Sequence, residues 1–259
     1  MTLMLASFTA GVQYERGDVD HDGRVSIDDV TCLINYLLTR TWPDEPVTPP
    51  NHEYVDLGLP SGTLWATCNV GANNPEEDGD YFAWGETSPK EVYSLSNYKW
   101  YREGEYDATY DYWHLSGMTK YCKNEYDGYD YFVDNRIELE LEDDAAYVNW
   151  GPSWRMPSIG ELDELMNSCT WHWIAMNDVL GYQGTGPNGN TIFFPASGQR
   201  WDSSLIAQGT WGGCWSRGLS LRPLTSSCSY GAYFDVNKGV GFYDLSRYGG
   251  FPVRPVRIQ

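Results

Sequence analysis

The chain has 259 residues, enough to bury a sizeable core, and its 17 basic against 36 acidic residues leave a formal net charge of −19. That charge repels nucleic-acid phosphates and anionic membranes, so it excludes nucleic acid as a partner and favours solubility and cation binding. Aromatic residues make up 15%, with 20 Tyr and 12 Trp, a load that must either fill a core or stand exposed as a stacking surface.

Residues 1–10 are apolar but short, with no basic residue ahead of them. They read as the remnant of a secretory signal, within residues 1–12, whose charged start lies upstream; a segment packing under the next loop is the alternative. No other stretch is long and apolar enough to span a bilayer, so no transmembrane segment is expected and the protein is placed as secreted, periplasmic or at the cell surface.

The clearest chemistry follows. Asp18, Asp20, Asp22 and Asp29 fall at positions one, three, five and twelve of a calcium loop, with Ser26 at nine and Gly23 at the sharp turn. Position seven supplies a backbone carbonyl, which Arg24 provides as well as any residue. Four carboxylates in so short a loop repel one another without a cation between them, so one Ca2+ site is expected. Val30, Leu33, Ile34, Leu37 and Leu38 then recur at helical spacing, and residues 27–38 read as an exit helix with one apolar face. Loop and helix together resemble one repeat of the type I dockerins, carried by Gly17 to Asp20, Asp22-Gly23, Val25-Ser26, Asp29-Val30 and Leu33 to Leu37. A full dockerin has two such repeats and this chain shows one. The resemblance implies a cohesin-like protein partner.

Residues 41–51 hold four prolines and read as a semi-rigid extended linker, which sets the boundaries: a calcium repeat over 1–40, the linker, and a large domain over 52–259. A module of about forty residues buries too little apolar surface to stand alone, so the metal contributes to its folding. In the large domain, alternation over residues 54–59 and a Pro60-Ser61-Gly62 turn predict an opening β-hairpin, and residues 79–86 a second strand and turn. Residues 87–142, rich in Tyr, Asp and Gly, read as long irregular excursions, with the tyrosines pinning them to the domain. Asp143 and Asp144 open a helix that stops at Gly151-Pro152. Ser158 and Glu161 have capping-box spacing ahead of the apolar stripe Leu162, Leu165 and Met166. After the Pro187 to Asn190 turn come predicted strands at 191–194, 232–236, 240–243 and 253–257.

Several of these segments, in order, carry a second resemblance: Tyr54 to Ala66, Gly79 to Thr87, Asp143 to Ala146, Trp154 to Ser158 and Val253 to Arg257. They look like the Fibrobacter succinogenes major paralogous domain, a family of secreted and surface proteins of gut and rumen bacteria. The resemblance implies a C-type lectin-like domain with two helices and short twisted β-sheets, and with the small N-terminal α-helical EF-hand-like calcium module the expected fold class is α+β. It implies no reaction.

The chemical inventory of the large domain is thin. His52, His114 and His172 stand apart from one another, and His172 reads as a packed strand residue. Cys214 and Cys228 are too far apart for the reactive cysteine pair of formylglycine-generating enzymes; a bridge between them and unpaired buried thiols are equally open. Gly186-Pro187-Asn188 and Trp201-Asp202-Ser203 each lack an oxygen ligand that calcium-dependent sugar binding needs. The acidic run Glu138, Glu140, Glu142, Asp143 and Asp144 offers carboxylates for glycan hydrolysis but reads better as a solvated helix start. The expected ligand face is instead the Gly- and Ser-interleaved segment 211–248, with Trp215, Arg217, Arg222, Tyr230, Tyr243, Arg247 and Tyr248 as binding residues for a glycan or a protein. The favoured function is non-enzymatic recognition. The alternatives are an enzyme of formylglycine-generating or glycan-hydrolase type and an architectural adhesin or fibre component.

Overall fold

The computed structural model describes residues 52–103, 117–220 and 228–257, which belong to one compact unit, His52–Gln259. The residues expected to form the calcium loop, its exit helix and the linker lie outside the described residues. So do Arg222 and His114.

The chain opens with β1 (Tyr54–Asp56) and β2 (Leu64–Ala66), the expected antiparallel hairpin, with Val55 opposite Trp65. The closing strand β12 (Val256–Arg257) inserts beside β2 and pairs on its other side with β3 (Trp154–Arg155), giving the sheet order β1-β2-β12-β3. The start and end of the described domain are thus hydrogen-bonded neighbours. Arg254, just before β12, is fully buried: its guanidinium lies 4.5 Å from the Phe194 ring, Nε donates to Asn69 and Nη1 to the Ala66 and Thr67 carbonyls. Burial without a carboxylate partner lowers its pKa to about 10.

Two helices form where local signals predict them. In α1 (Ala145–Trp150) Asp144 caps the N-terminus, accepting from Ala146 and Tyr147, and Gly151 ends it with φ 86°. In α2 (Ile159–Ser168) Ser158 and Glu161 close a reciprocal capping box, and Leu162, Leu165 and Met166 are buried. Each helix ends where its capping signals end, at six and ten residues.

Everything else regular is β. Strands β4 (Thr170–Met176), β5 (Val179–Thr185) and β6 (Thr191–Pro195) form one antiparallel sheet; Asn177 and Asp178, both at positive φ (46° and 67°), make the two-residue turn of its first hairpin. A short hairpin pairs β7 (Gln199–Trp201) with β8 (Ser204–Ile206). The longest strands, β9 (Trp211–Leu219), β10 (Cys228–Asp235) and β11 (Gly239–Ser246), form a third sheet in the order β11-β10-β9.

The α+β, C-type lectin-like expectation is therefore corrected: among the described residues twelve strands stand against two short helices, and the domain is mostly β. The predicted strand at 79–86 is also absent. Phe82 makes a single bridge to Phe251, Trp84 and Gly85 form a turn, and the rest is irregular. The 253–257 strand shrinks to two residues, because Arg254 turns inward to its carbonyl cage instead of continuing a ladder. Among the described residues no helix is long and apolar enough to cross a membrane.

Candidate functional site

The structure redistributes the residues expected to bind a ligand. Trp215 lies on β9, fully buried, with its indole N–H donating to the Phe82 carbonyl at 2.8 Å and its ring edge-on to Phe251. Arg247 is fully buried too. Its guanidinium lies 4.8 Å from the Trp84 ring centroid and 5.4 Å from that of Tyr98, and it donates to the Tyr98 hydroxyl and to the Lys120 and Tyr121 carbonyls. These two residues hold the core together and cannot touch a ligand. Arg217 is mostly spent on the Leu139 carbonyl at 2.9 Å and on Glu138 at 3.7 Å. Tyr230 and Tyr248 are half-buried, Tyr248 against Trp201. Among the described residues of this set only Tyr243, 62% exposed and edge-on to Tyr233, is open to solvent on the sheet surface. Of the other aromatics of this segment, Phe234 is buried, and Trp211, Phe242 and Tyr248 are partly buried against the core.

Two further corrections concern single residues. The Cys214–Cys228 bridge does not form: Cys214 sits opposite Ala232, four residues along β10 from Cys228, and its buried thiol is pushed up to about 11 by desolvation. His172 is a strand residue as expected, but an exposed one.

What the fold does assemble at its surface is a groove of about 480 Å³, formed where the segments 79–81 and 89–93 meet β7. Asp80, Lys90, Glu91, Arg200 and Ser203 bring polar groups to it, against a wall made by Tyr81 and Tyr93. The wall is fixed by hydrogen bonds. The Tyr93 hydroxyl donates to the Tyr81 carbonyl and accepts from the Lys90 amide, while the Tyr81 hydroxyl donates to the Ser197 carbonyl. Burial raises the pKa of both phenols, so they stay neutral donors. The floor is equally fixed: Arg200 exchanges backbone bonds with Gly250 at 2.8 and 2.9 Å, and Asp202 with Tyr93 at 2.9 Å in both directions. Gly250 is required there, since a Cβ would stand 2.7 Å from both Arg200 Cβ and the Tyr93 ring.

Within this frame the charged groups differ in commitment. Lys90 is held by Glu86 at 2.9 Å. The Arg200 guanidinium lies 5.3 Å from the Tyr81 ring centroid and makes no hydrogen bond or ion pair with a described residue. Asp80 and Glu91 are exposed. A partly exposed, planar five-donor cation thus lines the groove with two carboxylates and a serine hydroxyl, and the Asp78 carboxylate acts on it at longer range. None of these residues was singled out by spacing. The signal that was available is the short Trp201-Asp202-Ser203 turn, set aside above for lack of calcium oxygens, which is what presents Arg200 and Ser203.

A second polar cluster lies at the start of α1. The carboxylates of Glu140, Glu142 and Asp143 come within 4.8 Å of one another, close enough to hold a metal ion. Here the Lys120 ammonium lies among them, at 2.6 Å from Glu140, 3.4 Å from Glu142 and 2.6 Å from Asp143; Lys99 and the Tyr121 hydroxyl complete the shell of Asp143 at 3.1 and 2.7 Å. Burial works against the charge on Lys120, yet its carboxylate bonds hold its pKa above the usual lysine value. Asp143 and Asp144 are buried at 2% and 0% exposure, so the run expected to be a solvated helix start is half interior. Its chemistry is that of an ion-pair node joining Lys99, Lys120 and Tyr121 to the start of the helix. A metal there would have to displace Lys120.

No family model, curated protein or solved structure matches the chain.

Proposed function

We propose that the chain is a non-enzymatic recognition protein, secreted or displayed at the cell surface, in which a single dockerin-like calcium repeat precedes a domain that binds a glycan or protein ligand. The observation that carries the binding half is the groove beside β7. Charged groups of both signs and a serine hydroxyl line it on rigid backbone, and the Arg200 guanidinium there is not spent on a described residue. Pre-organised polar groups in a cavity of a few hundred Å³ are what a small-ligand site needs. The motifs from Tyr54 to Arg257 that resemble the Fibrobacter succinogenes major paralogous domain support the exported setting.

The calcium half is carried by the spacing of Asp18, Asp20, Asp22, Ser26 and Asp29, with the Arg24 carbonyl as the sixth ligand. A cohesin-like protein is the partner such a repeat would meet. A glycan and protein array probed with the full chain tests the binding half: wild type and Tyr243→Ala should give the same hits, and Ser203→Trp, which fills the groove, should lose them. Hits lost with Tyr243→Ala and kept with Ser203→Trp would move the site to the β10-β11 surface.

A further inference from the structure

We infer that the groove beside β7 takes a carboxylate-bearing sugar, a uronate unit of an acidic glycan, with Arg200 as the residue that grips the carboxylate. This rests on the recognition role proposed above and names the ligand class of the same site.

Three features select that class. The first is the guanidinium itself. Its fork matches a planar carboxylate with two parallel bonds, and among the described residues it makes no hydrogen bond or close ion pair, the Asp78 carboxylate acting on it only at longer range, although the chain carries two acids for every base. The Tyr81 ring behind it restricts its orientation, so little side-chain freedom remains to be lost on binding. The second is the pair of exposed carboxylates, Asp80 and Glu91, on the same lining. They repel a multiply charged anion such as a phosphate dianion or a polysulfate, and they tolerate a single negative charge held at the Arg200 end. They also accept hydrogen bonds, which a ligand rich in hydroxyls supplies, and Ser203 adds a hydroxyl that both donates and accepts. The third is size: about 480 Å³ suits one or two sugar rings. Lys90 adds little to selection because Glu86 already neutralises it.

Isothermal titration of the full chain with methyl galacturonoside, a single uronate ring, and with its methyl ester tests this, since the ester keeps the ring and hydroxyls and loses the charge. The free acid should bind at least tenfold more tightly than the ester. Arg200→Ala should lose at least tenfold for the acid and little for the ester, and Arg200→Lys should lose most of the same margin, because an ammonium cannot form the two parallel bonds. Glu91→Gln, at an exposed position that leaves the fold intact, should strengthen acid binding severalfold, and raising salt should weaken it. If Arg200→Ala proves unfolded by circular dichroism, the acid-to-ester ratio and Glu91→Gln decide alone. Equal binding of acid and ester, or no heat with the acid, overturns the uronate assignment. Equal binding abolished by Ser203→Trp would leave recognition at the groove standing with a neutral ligand, whereas a blank array would remove the recognition role itself.

Discussion

At the residue scale, the same residue types serve opposite roles according to depth. Trp215→Ala should lower unfolding free energy by about 3–5 kcal/mol, because it empties a fully buried site and removes one of the two donors to the Phe82 carbonyl, while Tyr243→Ala on the open face should stay within about 0.5 kcal/mol. Urea denaturation separates the two, and similar values would mean that Trp215 is not core. Asp144 has a larger share in the fold than its place in an acidic run suggests. It accepts from the Ala146, Tyr147 and Met156 amides, so it fastens β3 to α1 as well as capping the helix. Asp144→Ala should cost about 2–4 kcal/mol, the loss of a cap plus a buried amide left without a partner, and Asp144→Asn, which keeps one acceptor oxygen, should cost less.

Acid stability follows from two other carboxylates. Burial alone would raise Glu161, but the two bonds from Arg155 and those from Ser158 hold its pKa below the usual glutamate value; Asp143 is likewise held below the usual aspartate value by Lys120, Tyr121 and Lys99 against its burial. A carboxylate depressed in the folded state stabilises fully above its unfolded pKa and loses that contribution as pH falls through the folded value. Stability measured by denaturant should therefore be flat near neutrality and decline below about pH 4.3, the unfolded glutamate value. Glu161→Gln should be less stable at pH 7 and decline less steeply. A parallel decline in both proteins would show that the Arg155 pair does not set it.

At the scale of elements, the groove depends on how tightly the β7-β8 hairpin is seated. Gly198, the residue before β7, has φ 68°, and a Cβ there would lie 2.3 Å from the Ile206 carbonyl oxygen. Gly198→Ala should destabilise by about 1–3 kcal/mol through this clash and the left-handed backbone, and should weaken ligand binding by displacing Arg200. Unchanged binding with lowered stability would show that Arg200 is placed by Gly250 alone. Both helices and the first hairpin were legible in the sequence because their signals are local: Ser158 with Glu161, Asp144 with Gly151, and alternation around Pro60-Ser61-Gly62. The β4-β5 hairpin was equally local in its Asn177-Asp178 turn, and was missed because Trp171, His172 and Trp173 mask the alternation. Strand β9 was misread for a different reason. Its Gly212, Gly213 and Gly218 look like loop residues, yet each faces a neighbour that a Cβ would strike, Gly212 meeting the Pro195 carbonyl oxygen at 2.7 Å. Nothing in sequence spacing separates a close-packed glycine from a turn, or the buried Arg247 from an exposed one; the glycines are settled by neighbours on other elements such as Pro195 and Ile159, and Arg247 by contacts more than a hundred residues away.

At the scale of the whole molecule, an acidic chain carries its proposed functions in two places that the sequence reveals unequally. The calcium repeat is written in consecutive residues, whereas the groove is gathered from residues 79–93 and 200–203 and appears only on folding. Calorimetric titration of the full chain with calcium should show one site, and Asp18→Ala should abolish it by removing the first ligand of the loop. Undiminished heat in that variant would move the metal elsewhere, with the Glu140, Glu142 and Asp143 cluster the next to test. Recognition at the groove is tested most directly by amide chemical-shift mapping of the full chain as an array-selected ligand is added. Shifts clustered on Asp80, Tyr81, Tyr93, Arg200 and Ser203 are the expected result; shifts confined to Tyr233, Tyr243 and their neighbours on β10 and β11, with the groove silent, would contradict it.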